Sequence, residues 1–207
     1  MDERELWNEV VRMIYESNRK IKIFDGNNEV GRMELEMLKL NSRSVLGTII
    51  LYTSGICIDN WVRIIGQTCV ERKGLITYNN AGEKFFLDGM LIIGQDIVGG
   101  IFAINNKRFV DGLHKVWYFA PDTLEWECLD MKYAEFFAWL IDGNIDGFYS
   151  SMRWDNWRED CKNVKFDEVI LIYPFLWAKE CDLTRASKKV VSYEELKELN
   201  FEIAEKL

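Results

Sequence analysis

Histidine is almost absent from this chain of 207 residues, which holds His114 and no second histidine. A Ser-His-acid or Cys-His catalytic arrangement would have to be built on His114. No GxSxG turn accompanies it, and the glycines from Gly94 to Gly100 lack the lysine and spacing of a phosphate-binding loop. We therefore predict a solvated loop position for His114, structural turns for the glycines, and no catalytic residue.

Cysteine is also scarce, and its spacing indicates no disulfide framework. The five cysteines are odd in number, lie far apart and form no CxxC pair. We predict reduced thiols in the core, and with a single histidine we predict neither a structural zinc site nor another cofactor. The residues concerned are Cys57, Cys69, Cys128, Cys161 and Cys181.

Long apolar runs and basic patches are missing as well. No run approaches the roughly 20 apolar residues of a membrane span, and residues 1–5 are acidic rather than signal-like. These features predict a cytoplasmic protein without a membrane partner. The net charge is −8 and the basic residues are dispersed among acids, which disfavours a nucleic-acid partner and favours a basic protein partner.

The apolar content is sufficient for one substantial core. The chain is 48% hydrophobic, and no Pro-rich or Ser-rich linker interrupts it, so residues 1–207 are predicted to form a single globular domain. Eight Trp, eight Tyr and twelve Phe indicate an aromatic interior, although abundant Trp can equally mark a binding surface.

The segment from Leu91 to Gly143 carries the clearest strand pattern. The runs 100–105 and 116–120 are apolar on both faces, which is typical of strands inside a sheet. A third strand over 124–128 alternates apolar residues with glutamates, so one of its faces should be in water. Three successive strands with short connections indicate an antiparallel arrangement.

An amphipathic helix follows these strands. Asp130 can accept a first-turn amide as its N-cap, and Gly143 can end it. Its predicted apolar stripe consists of Tyr133, Phe136, Phe137, Leu140 and Ile141. The fold class is therefore predicted to be α+β, with a mostly antiparallel sheet packed against amphipathic helices.

The remaining elements are predicted from the same periodicities. Residues 66–89 form a mixed strand-and-loop region with an exposed connection at 79–82. Ser192 and Glu195 form a capping box for the last helix. Helices are predicted over 3–17, 29–40, 154–162 and 192–206, and strands over 55–58, 61–65 and 169–173.

This order of elements resembles the bacterial family DUF2625, which is known only as a domain of unknown function. Further blocks that resemble it lie at 44–47, 54–59, 63–66 and 148–157. The family resemblance implies no known catalytic residue. More distantly, the Gly-Gly strand, the aromatic strand and the following helix are similar to the SUKH superfamily, an α+β fold whose prokaryotic members include immunity proteins that neutralise secreted toxins.

Residues 142–153 match a calcium-binding loop at positions one, three, five and six. The twelfth position holds Arg153, where calcium loops need a bidentate glutamate. We favour the alternative, a helix C-cap at Gly143 followed by an Asx turn at Asn144 or Asp146.

The sequence offers one candidate partner-binding surface. It consists of Arg153, Trp154, Trp157 and Arg158, because Trp and Arg are the residues that most often dominate interfaces. The competing interpretation is core packing, in which the two tryptophans share one helix face and pack against the 133–141 helix.

Three functions follow from these patterns. The first is a non-enzymatic binding protein of toxin-immunity type with a basic protein as partner, which rests on the SUKH-like pattern and the acidic charge. The second is a small-ligand or regulatory module with a pocket lined by tryptophans. The third is an enzyme with dispersed catalytic residues; Glu125 and Glu127 could pair for such chemistry, but alternating acids are also typical of a half-exposed strand.

Overall fold

A computed structural model describes residues 2–81 and 87–206 of the chain. The helices in this part are α1 (Glu3–Glu16), α2 (Asn28–Leu38), α3 (Val45–Tyr52), α4 (Leu75–Tyr78), α5 (Tyr133–Asp142), α6 (Ile145–Phe148), α7 (Trp157–Asp160) and α8 (Tyr193–Ala204). The strands are β1 (Ile21–Asp25), β2 (Thr53–Ile58), β3 (Val62–Ile65), β4 (Met90–Asp96), β5 (Ile101–Asn105), β6 (Val116–Ala120), β7 (Glu125–Cys128), β8 (Glu168–Tyr173) and β9 (Ser187–Ser192). The α+β class is confirmed.

The first seven strands form one sheet in which each strand pairs antiparallel with the next along the chain. Helix α5 covers one face, where the rings of Phe102 and Phe136 lie 4.9 Å apart. The C-terminal part of the chain covers the other face, where Phe119 of β6 stacks on Phe201 of α8 at 4.7 Å. Strands β8 and β9 form a separate antiparallel hairpin within this C-terminal layer.

The central segment has the predicted architecture. Strands β5 and β6 are almost entirely buried, and the five residues of the predicted apolar stripe on α5 are all buried. Gly143 is the C-cap of α5, as predicted. Strand β7 is an edge strand, and it is more exposed than predicted because Cys128 also faces solvent. Short-range patterns were sufficient here because each strand pairs with the next one along the chain.

The predicted N-cap of α5 is wrong. Asp130 has a positive φ of 55°, and the helix begins only at Tyr133. The backbone N–H of Lys132 donates to Oε2 of Glu135 at 2.7 Å. Glu135 in the first turn thus satisfies the N–H of the N-cap residue Lys132, which is a different donor from the first-turn amide that Asp130 was expected to cap.

Several other elements differ from the predictions, and neither β4 nor α6 was among the predicted strands and helices. Strands β1 and β9 were not predicted. β1 pairs with β2, and β9 pairs with β8, and neither partner is adjacent in the local residue pattern. The helix predicted over 154–162 is a single turn, α7. A short helix, α4, lies inside the region predicted as strand and loop.

The predicted exposed connection at 79–82 is wrong at its first residue. Asn79 is 1% exposed, and its side chain bonds the backbone N–H and C=O of Ile92 at 2.7 and 2.9 Å. An asparagine can replace a strand neighbour in this way, because its amide copies the donor and acceptor of a peptide. Asn80 is exposed, and Gly82 lies outside the described residues.

All five cysteines are free thiols; Cys161 is buried, and Cys57, Cys69 and Cys181 are half-buried. The predicted core location is wrong for Cys128. Cys128 is exposed on the edge strand. Within the described part of the chain, no helix combines the length and apolarity needed to cross a membrane.

Candidate functional site

A cleft of about 530 Å³ lies on the sheet face that the C-terminal layer covers, at its β1–β3 end. We call it the basic cleft. Lys22, Cys57 and Arg63 are cross-strand neighbours on β1, β2 and β3, so they line its floor side by side. The facing wall is the segment 162–168, which precedes β8.

An aromatic pair closes one side of the basic cleft. The ring of Phe166 meets the ring of Phe24 edge-on, with centroids 5.6 Å apart. Gly55 lies directly beneath Phe166, and a Cβ at this position would come within 2.6 Å of the ring. Gly55 also has a φ of +149°, which side chains rarely adopt, so glycine allows the wall to approach the sheet.

Arg63 is the unusual residue of the basic cleft. It is 1% exposed, and its terminal nitrogens donate to the carbonyls of Trp61 and Lys165 at 3.3 Å. Its Nε has no hydrogen-bond partner, and no carboxylate lies within ion-pair distance among residues 2–81 and 87–206. Burial lowers the pKa of Arg63, because desolvation penalises its charged form. A buried cation without a counterion would be stabilised by a bound anion.

Four more cations line the basic cleft. Nζ of Lys22 and the guanidinium of Arg72 lie 4.6 and 4.2 Å from the ring centre of Phe24. Lys162 and Lys165 come from the facing wall. The cleft is therefore cationic in a chain whose net charge is −8.

Three acids also line the basic cleft, but two of them are engaged within the protein. Asp167 accepts a hydrogen bond of 2.7 Å from the Tyr78 hydroxyl. Glu168 accepts the backbone N–H of Lys165 at 3.0 Å. The third, Glu71, is 79% exposed at the rim and lies 3.7 Å from Arg72. Three of the cations are ion-paired: Arg72 with Glu71, Lys162 with Glu159 at 2.6 Å and Lys165 with Glu168 at 3.6 Å. Lys22 and Arg63 on the floor have no ion pair among the described residues.

The side chains of the basic cleft are suited to holding an anion rather than to reacting with one. Burial raises the pKa of the Cys57 thiol, and the nearby charge of Arg63 offsets this only in part. Cys57 is therefore a protonated thiol at neutral pH, which is a poor nucleophile. His114 is exposed on the β5–β6 loop, as predicted, and does not line the cleft.

A shallow pocket of about 160 Å³ continues the basic cleft along the surface. The two share Asn60 and Lys162. Arg158, one of the four predicted partner-binding residues, lines this second pocket. Its one acid, Asp59, is paired with Arg19 at 3.0 Å.

The other three residues of the predicted surface lie in the interior. Trp154 and Trp157 are 7% and 5% exposed, and their rings pack around Trp61 at 5.9 and 5.1 Å. The core interpretation expected them to pack on α5, whereas these ring contacts are with Trp61 in the β2–β3 turn. The guanidinium of Arg153 lies 4.1 Å from the Trp157 ring and pairs with Asp146. Only Arg158 of the four is exposed, and a partner-binding role for these residues stays a prediction.

The favoured interpretation of the calcium-like loop is confirmed for the C-cap at Gly143. Asn144 accepts the backbone N–H of Gly147, three residues on, at 2.9 Å, so it is the N-cap of α6 and does not form the predicted Asx turn. Burial opposes ionisation of Asp146, but Arg153 and Arg19 outweigh it and lower its pKa. The Asp146 carboxylate, which a calcium ion would need as a ligand, is thus paired with two arginines. Across the described ranges, no group of three His, Cys, Asp or Glu side chains could hold a metal ion.

One feature of the sequence could have indicated the basic cleft but was not recognised. Arg63 interrupts the apolar strand Val62–Ile65, and a charge at a buried strand position is uncommon. Lys22 could not be recognised as its neighbour without β1, and the wall at 162–168 is brought to the sheet only by tertiary packing.

Comparison with known proteins identifies the family. The model of the family described as protein of unknown function DUF2625 matches residues 1–196. An uncharacterised Escherichia coli K12 protein, YbfG, is 30% identical over 96% of this chain and 92% of its own length. An uncharacterised Haemophilus influenzae protein is 26% identical over 97% of this chain and 87% of its own length. No solved structure matches significantly, so the SUKH similarity stays a prediction. The chain belongs to the DUF2625 family.

Proposed function

We propose that this protein is a non-enzymatic binding protein that holds a small anionic ligand in the basic cleft. The observation that carries this proposal is the buried guanidinium of Arg63, which has an unpartnered Nε and no ion pair among the described residues. An anion bound in the basic cleft would supply the counterion that this buried charge lacks. This is the ligand-binding function considered from the sequence, with cations in place of the expected tryptophans on the lining.

Titration calorimetry against inorganic phosphate, sulfate, citrate and a panel of phosphate esters tests the proposal. We expect at least one of these anions to bind, and to bind more weakly as salt is raised, because ions screen exposed charges. Lys165→Gln should weaken binding roughly three- to tenfold, because one charged contact contributes about 1 kcal/mol or more. The Lys165 side chain is 82% exposed, so its removal should leave the fold intact.

Lys189→Gln is the matched control, because it makes the same change on the exposed strand β9 outside the basic cleft. Affinity should be unchanged in this variant at moderate salt. The proposal would be wrong if none of the anions bound, or if both glutamine variants weakened binding equally.

A second candidate is the immunity-type role, in which the partner is a basic protein such as a toxin. It is supported by the edge strand β7, on which Glu125 and Glu127 are exposed. An open strand edge can pair with a strand of a partner, and acidic side chains beside it favour a basic one. We propose a cytoplasmic location for either role, which fractionation of cells that express the tagged protein would test.

Coexpression with toxins encoded beside the gene tests the second candidate. If it is right, the wild type protects cells and binds one toxin, and Glu125→Lys with Glu127→Lys abolishes both effects. Glu9→Lys with Glu16→Lys on the exposed side of α1 makes the same change in net charge and should preserve protection. Equal loss in both double variants would contradict a role of the β7 edge.

A further inference from the structure

We infer that the ligand of the basic cleft is a phosphate monoester of a small organic molecule. This inference rests on the proposed function, which requires only that an anion binds there. It adds the chemical class of the anion, from the way the cations are arranged and from the apolar surface beside them.

The hydrogen bonds of Arg63 disfavour a carboxylate as the ligand. Its two terminal nitrogens are engaged by the carbonyls of Trp61 and Lys165, and Nε remains unpartnered among the residues described. Carboxylates are typically bound by the two parallel N–H groups of a free guanidinium fork. Arg63 is instead held by two backbone carbonyls as a fixed positive charge, so it would attract an anion by its charge and not through a free fork.

Cations enter the basic cleft from its floor, from one side and from the facing wall. Lys22 and Arg63 lie on the floor. Arg72 lies over the ring of Phe24 at one side, and Lys162 and Lys165 come from the facing wall. A phosphoryl group presents three oxygens in a tetrahedral arrangement and carries nearly two charges at neutral pH. Cations on three sides match this geometry better than they match a planar carboxylate with one charge.

The volume of the basic cleft suits a small organic ligand. The volume of about 530 Å³ lies within the range of roughly 300–1,000 Å³ typical of sites for small organic ligands. Phe24, Val164 and Phe166 supply an apolar surface next to the cations. A bare inorganic anion would leave this surface uncovered, whereas the organic part of a monoester would bury it.

The experiment is a calorimetric panel of matched compounds. Sugar phosphates and nucleoside monophosphates are compared with their dephosphorylated parents, with inorganic phosphate, and with gluconate and citrate. We expect at least one monoester to bind at least 100-fold more tightly than its parent and more tightly than inorganic phosphate. Its affinity should rise between pH 5 and pH 7.5, because the second phosphate ionisation has a pKa of about 6.

The outcomes separate the two proposals. If gluconate or citrate bound and no monoester did, the phosphate inference would be overturned while anion binding in the basic cleft would stand. If inorganic phosphate bound as tightly as every monoester, the organic part of the inference would be wrong. If no anion in the panel bound, both proposals would fail.

Variants of the lining residues test whether the monoester binds in the basic cleft. Arg63→Gln should reduce affinity at least tenfold, but Arg63 also holds two backbone carbonyls, so its fold is checked by circular dichroism. Arg72→Gln and Lys165→Gln are tested beside it, because they change the rim without touching the floor. Unchanged monoester affinity in Arg72→Gln and Lys165→Gln would overturn the inference, and Lys189→Gln again serves as the control.

Discussion

The hydroxyl of Tyr118 donates a hydrogen bond of 2.6 Å to Oδ2 of Asp96, which joins β6 to the end of β4 across β5. The same carboxylate accepts the Tyr149 hydroxyl at 3.1 Å and the backbone N–H groups of Val98 and Gly100 at 3.0 and 2.8 Å. Asp96 is fully buried. Four donors thus stabilise one buried carboxylate, which fixes the β4–β5 turn to the segment after α6.

Tyr118→Phe should lower the free energy of unfolding by roughly 1.5–3 kcal/mol, because a hydrogen bond to a buried charged group is lost. Urea denaturation followed by fluorescence measures this change. Tyr133→Phe is the matched control, since the Tyr133 hydroxyl is buried and has no partner among the described residues. Removing it should have little effect or stabilise the protein, and an equal loss in the two variants would contradict the role of Asp96 as an anchor.

Asp96 should make the protein more stable at acidic pH than at neutral pH, relative to Asp96→Asn. Burial raises the pKa of Asp96 above its ordinary value of 3.8, and its hydrogen bonds lower it by less. The folded protein therefore binds this proton more tightly than the unfolded chain does, so protonation stabilises the fold.

The Asp96 contribution is complete below the unfolded pKa of about 3.9 and is lost as pH rises through the higher folded pKa. Denaturant titrations of the wild type and Asp96→Asn between pH 3.5 and 7 measure it. The difference in free energy of unfolding, wild type minus variant, should fall with increasing pH. A difference that rises with pH would show that the hydrogen bonds outweigh burial.

Arg153→Met should lower the free energy of unfolding by about 2 kcal/mol or more, because a desolvated cation leaves three aromatic rings and the Asp146 carboxylate. Arg158→Met is the matched control, since Arg158 is exposed and lies 4.3 Å from the same Trp157 ring. It should cost less than about 1 kcal/mol. Similar losses from the two variants would show that burial of Arg153 adds nothing to stability.

The thiols should react in order of exposure. Cys128 is exposed on β7, whereas Cys161 is buried and burial raises its pKa to about 12. Since the thiolate is the reactive form, an aromatic disulfide reagent at pH 8 should label Cys128 in the fastest phase. Cys128→Ser should remove that phase and Cys161→Ser should not. A fast phase that depends on Cys161 would show that the core around it opens readily.

Predictions succeeded where a structural feature depends on neighbours close along the chain. Strand β6 and the apolar stripe of α5 are recognisable because alternation and helical spacing are local patterns. The cap at Ser192 succeeded for the same reason, since its partner Glu195 lies three residues away. The N-cap prediction for Asp130 was wrong because the sequence pattern does not fix the first residue of a helix. The backbone geometry, with a positive φ at Asp130, places the start at Tyr133.

The basic cleft could not be predicted because its residues converge from distant parts of the chain. Arg63 and Lys165 are 102 positions apart, yet the guanidinium of one donates to the carbonyl of the other. The two tryptophans at 154 and 157 illustrate the same limit. Their spacing predicted a shared buried face. Their ring partner, Trp61, lies in the first third of the chain and could not be recognised from that spacing.

The amino-acid sequence alone determined the α+β class, the antiparallel central strands and the aromatic helix, because these follow from residue periodicity and turn chemistry. Tertiary structure alone decided which charges are buried and which are in water. Arg63 and Lys189 are both cations on strands, and only the packing of the 162–168 wall leaves the first in the interior and the second in solvent. The cost of burying an unpaired charge therefore became visible only once the chain was folded.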